Sequence, residues 1–121
     1  MKAPQVINAL SALAHEHRLS IFRLLIERGP EGLSAGRIAA RVGLVPSSLT
    51  FHLQNLHRAG LIIQRRESRQ LFYSTDFNAM KALLGYLTEN CCLESGAECA
   101  VGCDLVRPAK PPRPCSISPA N

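Results

Sequence analysis

The sequence contains nothing close to the roughly 20 consecutive apolar residues that a membrane span requires, so an integral membrane protein is not expected. Behind Lys2 the first apolar residues are soon interrupted by His15, Glu16, His17 and Arg18, and no export signal is expected either. The cysteines do not form an even, spaced set. There are five, an odd number that argues against a disulfide framework and for reduced thiols in a cytoplasmic protein. No nucleophile–base pair, phosphate-cradling loop or catalytic metal motif is present, so an enzyme is not expected. Acidic residues are scarce: nine Asp and Glu stand against fourteen Lys and Arg, a formal charge of +5. A surplus of that sign favours a polyanionic partner, nucleic acid or an anionic membrane, without choosing between them.

What remains is one small folded domain. The 121 residues are 46% apolar and 19% charged, the balance of a packed protein rather than a disordered one. A chain this short buries a modest core, and pairing with a second copy is a ready source of further stability.

Apolar residues recur at helical spacing from Pro4 to Arg28, interrupted at Ala14–His17, which predicts two helices. Gly29-Pro30-Glu31-Gly32 is a strong break. Ser34 reads as the N-cap of a short helix closing near Gly43. Pro46 suits the first turn of another helix, which runs to about Ala59 and ends at Gly60. Two β-prone runs, Leu61–Arg65 and Gln70–Ser74, flank a polar tip and predict a hairpin. Thr75 or Asp76 then caps a last helix carrying Phe77, Met80, Leu83, Leu84 and Leu87, which frays near Asn90. The expected fold is mainly α with a β-hairpin, a winged helix-turn-helix in the order α-α-α-α-β-β-α. Its divisions are a folded domain over residues 1–90, a cysteine-rich segment over 91–104 and a proline-rich tail over 105–121, expected to be disordered or polyproline-like.

The helix beginning at Pro46 has two chemically distinct faces. At about 100° per residue, Leu49, Leu53 and Leu56 share an inward stripe. Ser47, Phe51, Gln54 and Arg58 lie opposite, flanked by Ser48, Thr50 and Asn55. Hydrogen-bonding groups around one exposed aromatic suit a recognition helix in a major groove. Gln54 can pair with adenine, Phe51 can press on a thymine methyl, and the serines and Thr50 sit where helix N-terminal amides attract phosphate. His52 falls beside the leucine stripe, so a partly buried, hydrogen-bonded histidine is expected there; His15, His17 and His57 are read as structural or solvated. Arg65, Arg66 and Arg69 surround the hairpin tip, where a wing would meet phosphates or a minor groove.

These blocks, in order, resemble a known family. Leu10–Phe22, Leu33–Ala39, Pro46–Leu56, Ala59-Gly60-Leu61 and Arg65–Tyr73 are similar to successive segments of the ArsR/SmtB repressors, over about Gln5 to Asn90. The resemblance implies a homodimer built on the first and last helices, here Val6, Ile7, Leu10, Met80, Leu83, Leu84 and Leu87. It also implies a palindromic double-stranded operator. The chain departs from the family at His15-Glu16-His17, where Asp-Pro-Thr is common, and at Ser68, where the wing tip often carries glycine.

Cys91, Cys92, Cys99 and Cys103 cluster just past the last helix, with Cys115 apart in the tail. Thiolates select soft ions such as As(III), Sb(III), Cd(II), Zn(II) and Cu(I). Neighbouring cysteines on a regular helix point about 100° apart, so Cys91 and Cys92 converge best where the helix unwinds; Gly96 and Gly102 allow the segment beyond to fold back. Three thiolates satisfy pyramidal arsenite, whereas zinc takes four ligands. The family's other sensor sites are missing, since Leu33–Leu56 has no cysteine and Asp76–Asn90 no histidine. The resemblance to arsenic-responsive members with a Cys-Cys pair and a later cysteine implies Cys91, Cys92 and Cys99 as ligands, with Cys103 the alternative. By that likeness the protein needs no cofactor in its DNA-bound form and takes As(III) or Sb(III) as inducer. A repressor answering Zn or Cd, or thiol oxidation, is the alternative signal; a winged-helix adaptor for other proteins is the alternative function.

Overall fold

The computed structural model describes residues 1–94, and the described chain divides into two units, Met1–Met80 and a second beginning at Lys81. Cys99, Cys103 and Cys115, with most of the expected cysteine-rich segment and the whole proline-rich tail, lie outside the described residues. Among the described residues no helix is long and apolar enough to cross a membrane.

Helix α1 spans Ala3–Leu13 and α2 spans Glu16–Arg28. The two are parted by the side chain of His15, whose Nδ1 accepts the backbone N–H of His17 at 3.1 Å and so caps α2. Strand β1 is the dipeptide Leu33–Ser34 and α3 spans Ala35–Val42. Ser34 Oγ accepts from the Arg37 N–H at 3.4 Å, and Gly43 ends the helix in the left-handed region at φ 74°. Helix α4 spans Pro46–Arg58, β2 Ile62–Glu67, β3 Gln70–Thr75 and α5 Phe77–Thr88. Asp76 Oδ1 accepts the N–H groups of Asn78 and Ala79 at 3.1 Å each, the cap expected for the last helix.

The architecture is the expected winged helix, with one correction to the element order. Leu33–Ser34 pairs antiparallel with β3, opposing Tyr73 and Phe72, so the hairpin belongs to a three-stranded sheet of order β1-β3-β2. Two residues are too few for a period-2 pattern to announce a strand. Gly32 makes the pairing possible: it is buried at φ +74°, and a Cβ there would fall on the Tyr73 carbonyl. The hairpin register runs from Ile62 opposite Thr75 to Glu67 opposite Gln70, with Ser68 at the tip in the left-handed region, φ 57°.

Ile21, Leu25, Ile38, Leu49, Leu56 and Leu61 are the centre of the first unit's core. Burying each contributes about 1.5–3 kcal/mol relative to exposure. Val6, expected to face a second copy, is instead buried in this core at 4% exposure, on the α1 stripe it shares with Ala9 and Ala12. Ile7, opposite that stripe, and Leu10, at its flank, are exposed. In the second unit Leu83 is buried, while Tyr86 and Leu87 are exposed.

Candidate nucleic-acid interface and thiol pair

Helix α4 begins with a proline and without a side-chain cap. The Leu49 amide bonds to the Val45 carbonyl at 3.0 Å, so the amides of Ser47 and Ser48 are the ones a helix start leaves without intrahelical acceptors. They point out of the positive end of the helix dipole, toward any anion placed there. Leu49, Leu53 and Leu56 are buried, whereas Ser47, Thr50, Phe51, Gln54 and Arg58 are exposed and Ser48 and Asn55 half-buried, so the two faces separate as the spacing predicts. Phe51 keeps 59% of its surface exposed on this polar face. Two of the expected readers are partly engaged already. Thr50 Oγ1 donates to the Pro46 carbonyl at 3.0 Å and Asn55 Nδ2 to the Phe51 carbonyl at 2.9 Å. Asn55 therefore offers an acceptor oxygen more readily than its amide.

Between α4 and the wing lies an open cavity of about 220 Å³ lined by Leu53, Gln54, His57, Arg58, Gln64 and Tyr73. Gln64 and His57 thereby join Gln54 and Arg58 on one concave polar surface. The sequence alone reads His57 as structural or solvated and gives Gln64 no role. The spacing of His57, three residues after Gln54, was the available signal.

The wing arginines divide into two kinds. Successive strand residues point to opposite faces, and Arg65 opposes Phe72 in the ladder while Arg66 opposes Leu71. Arg65 is held by neighbours: Nη2 donates to the Glu31 carbonyl at 3.1 Å, Nε to Glu67 Oε2 at 3.1 Å, and the guanidinium carbon lies 5.3 Å from the Phe72 ring centroid. These contacts tether Arg65 to the turn before β1 while leaving it exposed at the wing. Arg66 and Arg69 are exposed and make no ion pair among the described residues.

His52 is 7% exposed, with Nδ1 3.5 Å from Arg18 Nη1, a partly buried and hydrogen-bonded histidine as expected. Burial first, and then the charges of His15, Arg18 and His17, hold its pKa below the ordinary imidazole value of 6.5. His15 and His17 are not isolated: their ring centroids lie 4.6 and 5.6 Å from that of His52.

The thiol pair lies past the end of α5. The Cys91 N–H donates to the Thr88 carbonyl at 2.9 Å, and Asn90 and Cys92 both take left-handed backbone, φ 63° and 60°. The chain has left the helix there, and the two Sγ atoms lie 3.4 Å apart. Sulfurs so spaced can both reach one soft ion at roughly 2.3 Å, the length of a zinc–thiolate bond. Among the described residues no group of three His, Cys, Asp or Glu forms a metal site, and the expected third ligands, Cys99 or Cys103, lie outside them.

Residues 13–65 match a family described as a helix-turn-helix domain. The nodulation protein NolR of Rhizobium meliloti is 35% identical over 80 residues, covering 66% of this chain and 63% of NolR, a little under two thirds of its length. The transcriptional activator HlyU of Vibrio cholerae is 36% identical over 78 residues, 64% of this chain and 69% of HlyU. A solved HlyU structure superposes with a TM-score of 0.60 at 32% identity, over 76% of this chain and 99% of HlyU. A homodimeric winged helix-turn-helix DNA-binding domain from Mycobacterium bovis, described as a possible ArsR-family regulator, gives a TM-score of 0.57 at 28% identity, over 79% of this chain and 88% of that one. None of these descriptions names arsenic.

Proposed function

Because the chain belongs to the ArsR-type family of winged helix-turn-helix transcription regulators, we propose that it is a homodimeric cytoplasmic repressor that binds a palindromic operator of an arsenic-resistance operon and lets go when As(III) or Sb(III) binds its C-terminal thiolates. Residues 1–90 read DNA and dimerise, residues 91–104 hold the inducer, and residues 105–121 are a tail. The DNA half of the reading is carried by the uncapped start of α4 and its exposed Ser47, Phe51 and Gln54, and is supported by the exposed Arg66 and Arg69 of the wing. The inducer half is supported by the 3.4 Å separation of Cys91 and Cys92 Sγ, soft donors placed for a soft ion. Dimerisation is supported by the apolar residues left outside, Ile7 and Leu10 on α1 and Tyr86 and Leu87 on α5, and by the homodimeric M. bovis relative.

Two substitutions test the DNA reading. Arg66→Ala removes a phosphate contact, so affinity is expected to fall on all sequences alike and the salt slope of log K to flatten by about one unit. Titrations of a labelled duplex at several salt concentrations measure both, and an unchanged slope removes Arg66 from the interface. Gln54→Ala instead relaxes sequence choice at one position per half-site, at a cost of about 1–3 kcal/mol of discrimination. A base-substitution series checks it, and full retention of preference would make Gln54 an ordinary surface residue.

A further inference from the structure

Three imidazoles from two separate places in the chain meet behind the reading helix. His15 stands at the junction of α1 and α2, His17 in the first turn of α2, and His52 on α4 directly after the exposed Phe51. Their ring centroids lie 4.6 Å (His15–His52), 5.6 Å (His17–His52) and 5.6 Å (His15–His17) apart. The Phe51 ring lies 5.5 Å from that of His52, edge-on. Arg18 fixes a permanent charge beside them. Its Nε donates to the Ala12 carbonyl at 2.8 Å, and its Nη1 lies 3.5 Å from His52 Nδ1.

The hydrogen bonds assign the protons. His15 Nδ1 accepts a backbone N–H, so in the neutral ring its proton is on Nε2 and no lone pair remains for a metal. The Nδ1 atoms of His15 and His52 each face a hydrogen-bond donor instead. Protonating His15 at Nδ1 replaces the acceptor that caps α2 with a donor and sets a cation at the positive end of a helix dipole. Protonating His52 at Nδ1 turns an N–H toward the Arg18 guanidinium. The His15 and His17 rings lie within about 6 Å of His52, where like charge disfavours the charged form of His52.

We propose that the His15–His17–His52 cluster is a proton switch on DNA reading: as it charges, the α1–α2 junction is pushed away from α4 and sequence-selective binding is lost. The inference rests on the DNA-reading function proposed above. Among the described residues the groups that bear on the His52 ring are His15, His17 and Arg18; Arg37 and Arg41 of α3 and Arg65, Arg66 and Glu67 of β2, elements also packed against α4, do not act on it, and α1 carries no ionisable side chain. No carboxylate among the described residues acts on His52; Glu16, between His15 and His17 in the chain, is exposed and is not among the groups that do. The direction of the effect follows from the lowered His52 pKa. The unfolded chain takes up a proton near 6.5 and the folded chain only at lower pH, so the contact is fully stable above about 6.5 and weakens as pH falls below it.

The test uses the full-length reduced protein and a duplex selected by it from a random pool at about pH 7.5. The readout is the ratio of its affinities for that duplex and for a scrambled one at fixed ionic strength, so that the general gain in phosphate attraction on acidification divides out. Between about pH 7.5 and about pH 5.5 the ratio is expected to fall about tenfold or more. In the His15→Asn/His17→Gln/His52→Gln variant, which keeps an N-capping side chain and cannot charge, it should stay flat. In the unsubstituted protein, backbone amide signals of residues 47–53 should move with the midpoint of the His52 ring signals, a measurement that does not depend on the variant folding. A flat ratio in the unsubstituted chain, an equal fall in the variant, or α4 amides that ignore the His52 titration would each overturn the switch. If no duplex is enriched at about pH 7.5, the DNA reading itself falls and the switch with it; a duplex enriched but pH-insensitive removes the switch alone.

Discussion

Cys91→Ser, Cys92→Ser and Cys99→Ser are each expected to give a protein that holds its DNA and ignores arsenite, abolishing an inducible loss of affinity of about 5- to 150-fold, the span of a 1–3 kcal/mol coupling. The chain turns out of α5 just before the pair, and two left-handed residues bring its sulfurs within 3.4 Å. A trivalent ion that draws a third thiolate onto this pair must reshape the end of α5, the helix expected to pair two copies. Changing the pairing changes the spacing of the two reading heads. The thiols are remote in sequence from Pro46–Arg58, so losing one should spare DNA binding itself. Titration of a labelled duplex with and without arsenite measures both properties in one assay. Cys115→Ser should respond normally. A responsive Cys99→Ser with a silent Cys103→Ser would make Cys103 the third ligand. A requirement for all four cysteines at 91, 92, 99 and 103 would favour a tetrahedral ion such as Zn(II) or Cd(II). Normal responses from all four variants would rule out the C-terminal site.

Gly32→Ala is expected to destabilise the fold by about 2–6 kcal/mol, the sum of strain for a non-glycine residue at positive φ and of overpacking against a rigid neighbour. The added methyl would meet the Tyr73 carbonyl and lie 3.2 Å from Ser74 Cβ, and a backbone group in mid-sheet cannot swing aside as a side-chain tip can. Relief would require β1 to part from β3. That costs the pairings of Leu33 with Tyr73 and Ser34 with Phe72, and Ser34 is also the residue that caps α3. Urea denaturation checks the magnitude. Gly36→Ala is the control, since a Cβ there meets nothing within 4 Å and the helix should tolerate or welcome it. Equal stabilities for the two variants would mean that the β1–β3 pairing is dispensable.

Much of this structure is legible in the sequence because the cues are local. Pro46 at the start of α4, Ser34 and Asp76 as caps, and Gly43 past the end of α3 all act through their own backbone or a neighbour within three residues. The faces of α4 follow from the leucine spacing alone. What escaped depends on residues far apart in the chain. The His15–His52 contact joins positions that no periodicity links, and β1 exists only because β3 is there to pair with it. Arg65 and Arg66 are identical in type, adjacent and both exposed, yet strand alternation lets only Arg65 reach the Glu31 carbonyl. Composition placed both at the wing; only the ladder register could tell them apart. Val6 was misassigned for a similar reason, because an apolar residue on a short helix reads the same whether it faces its own core or a second copy.

The sheet order β1-β3-β2 leaves β2 with one free edge. An exposed edge strand is a template for strand addition by another chain, and natural sheets deter this with charge. Here Arg65, Arg66 and Glu67 occupy the outer half of β2, ahead of a tip that carries Arg69. The arginines that suit a nucleic-acid backbone thus also guard the chain against stacking on itself. Selection acting on this wing answers to two demands at once, and substitutions that neutralise several of its charges together would trade weaker DNA contact for self-association.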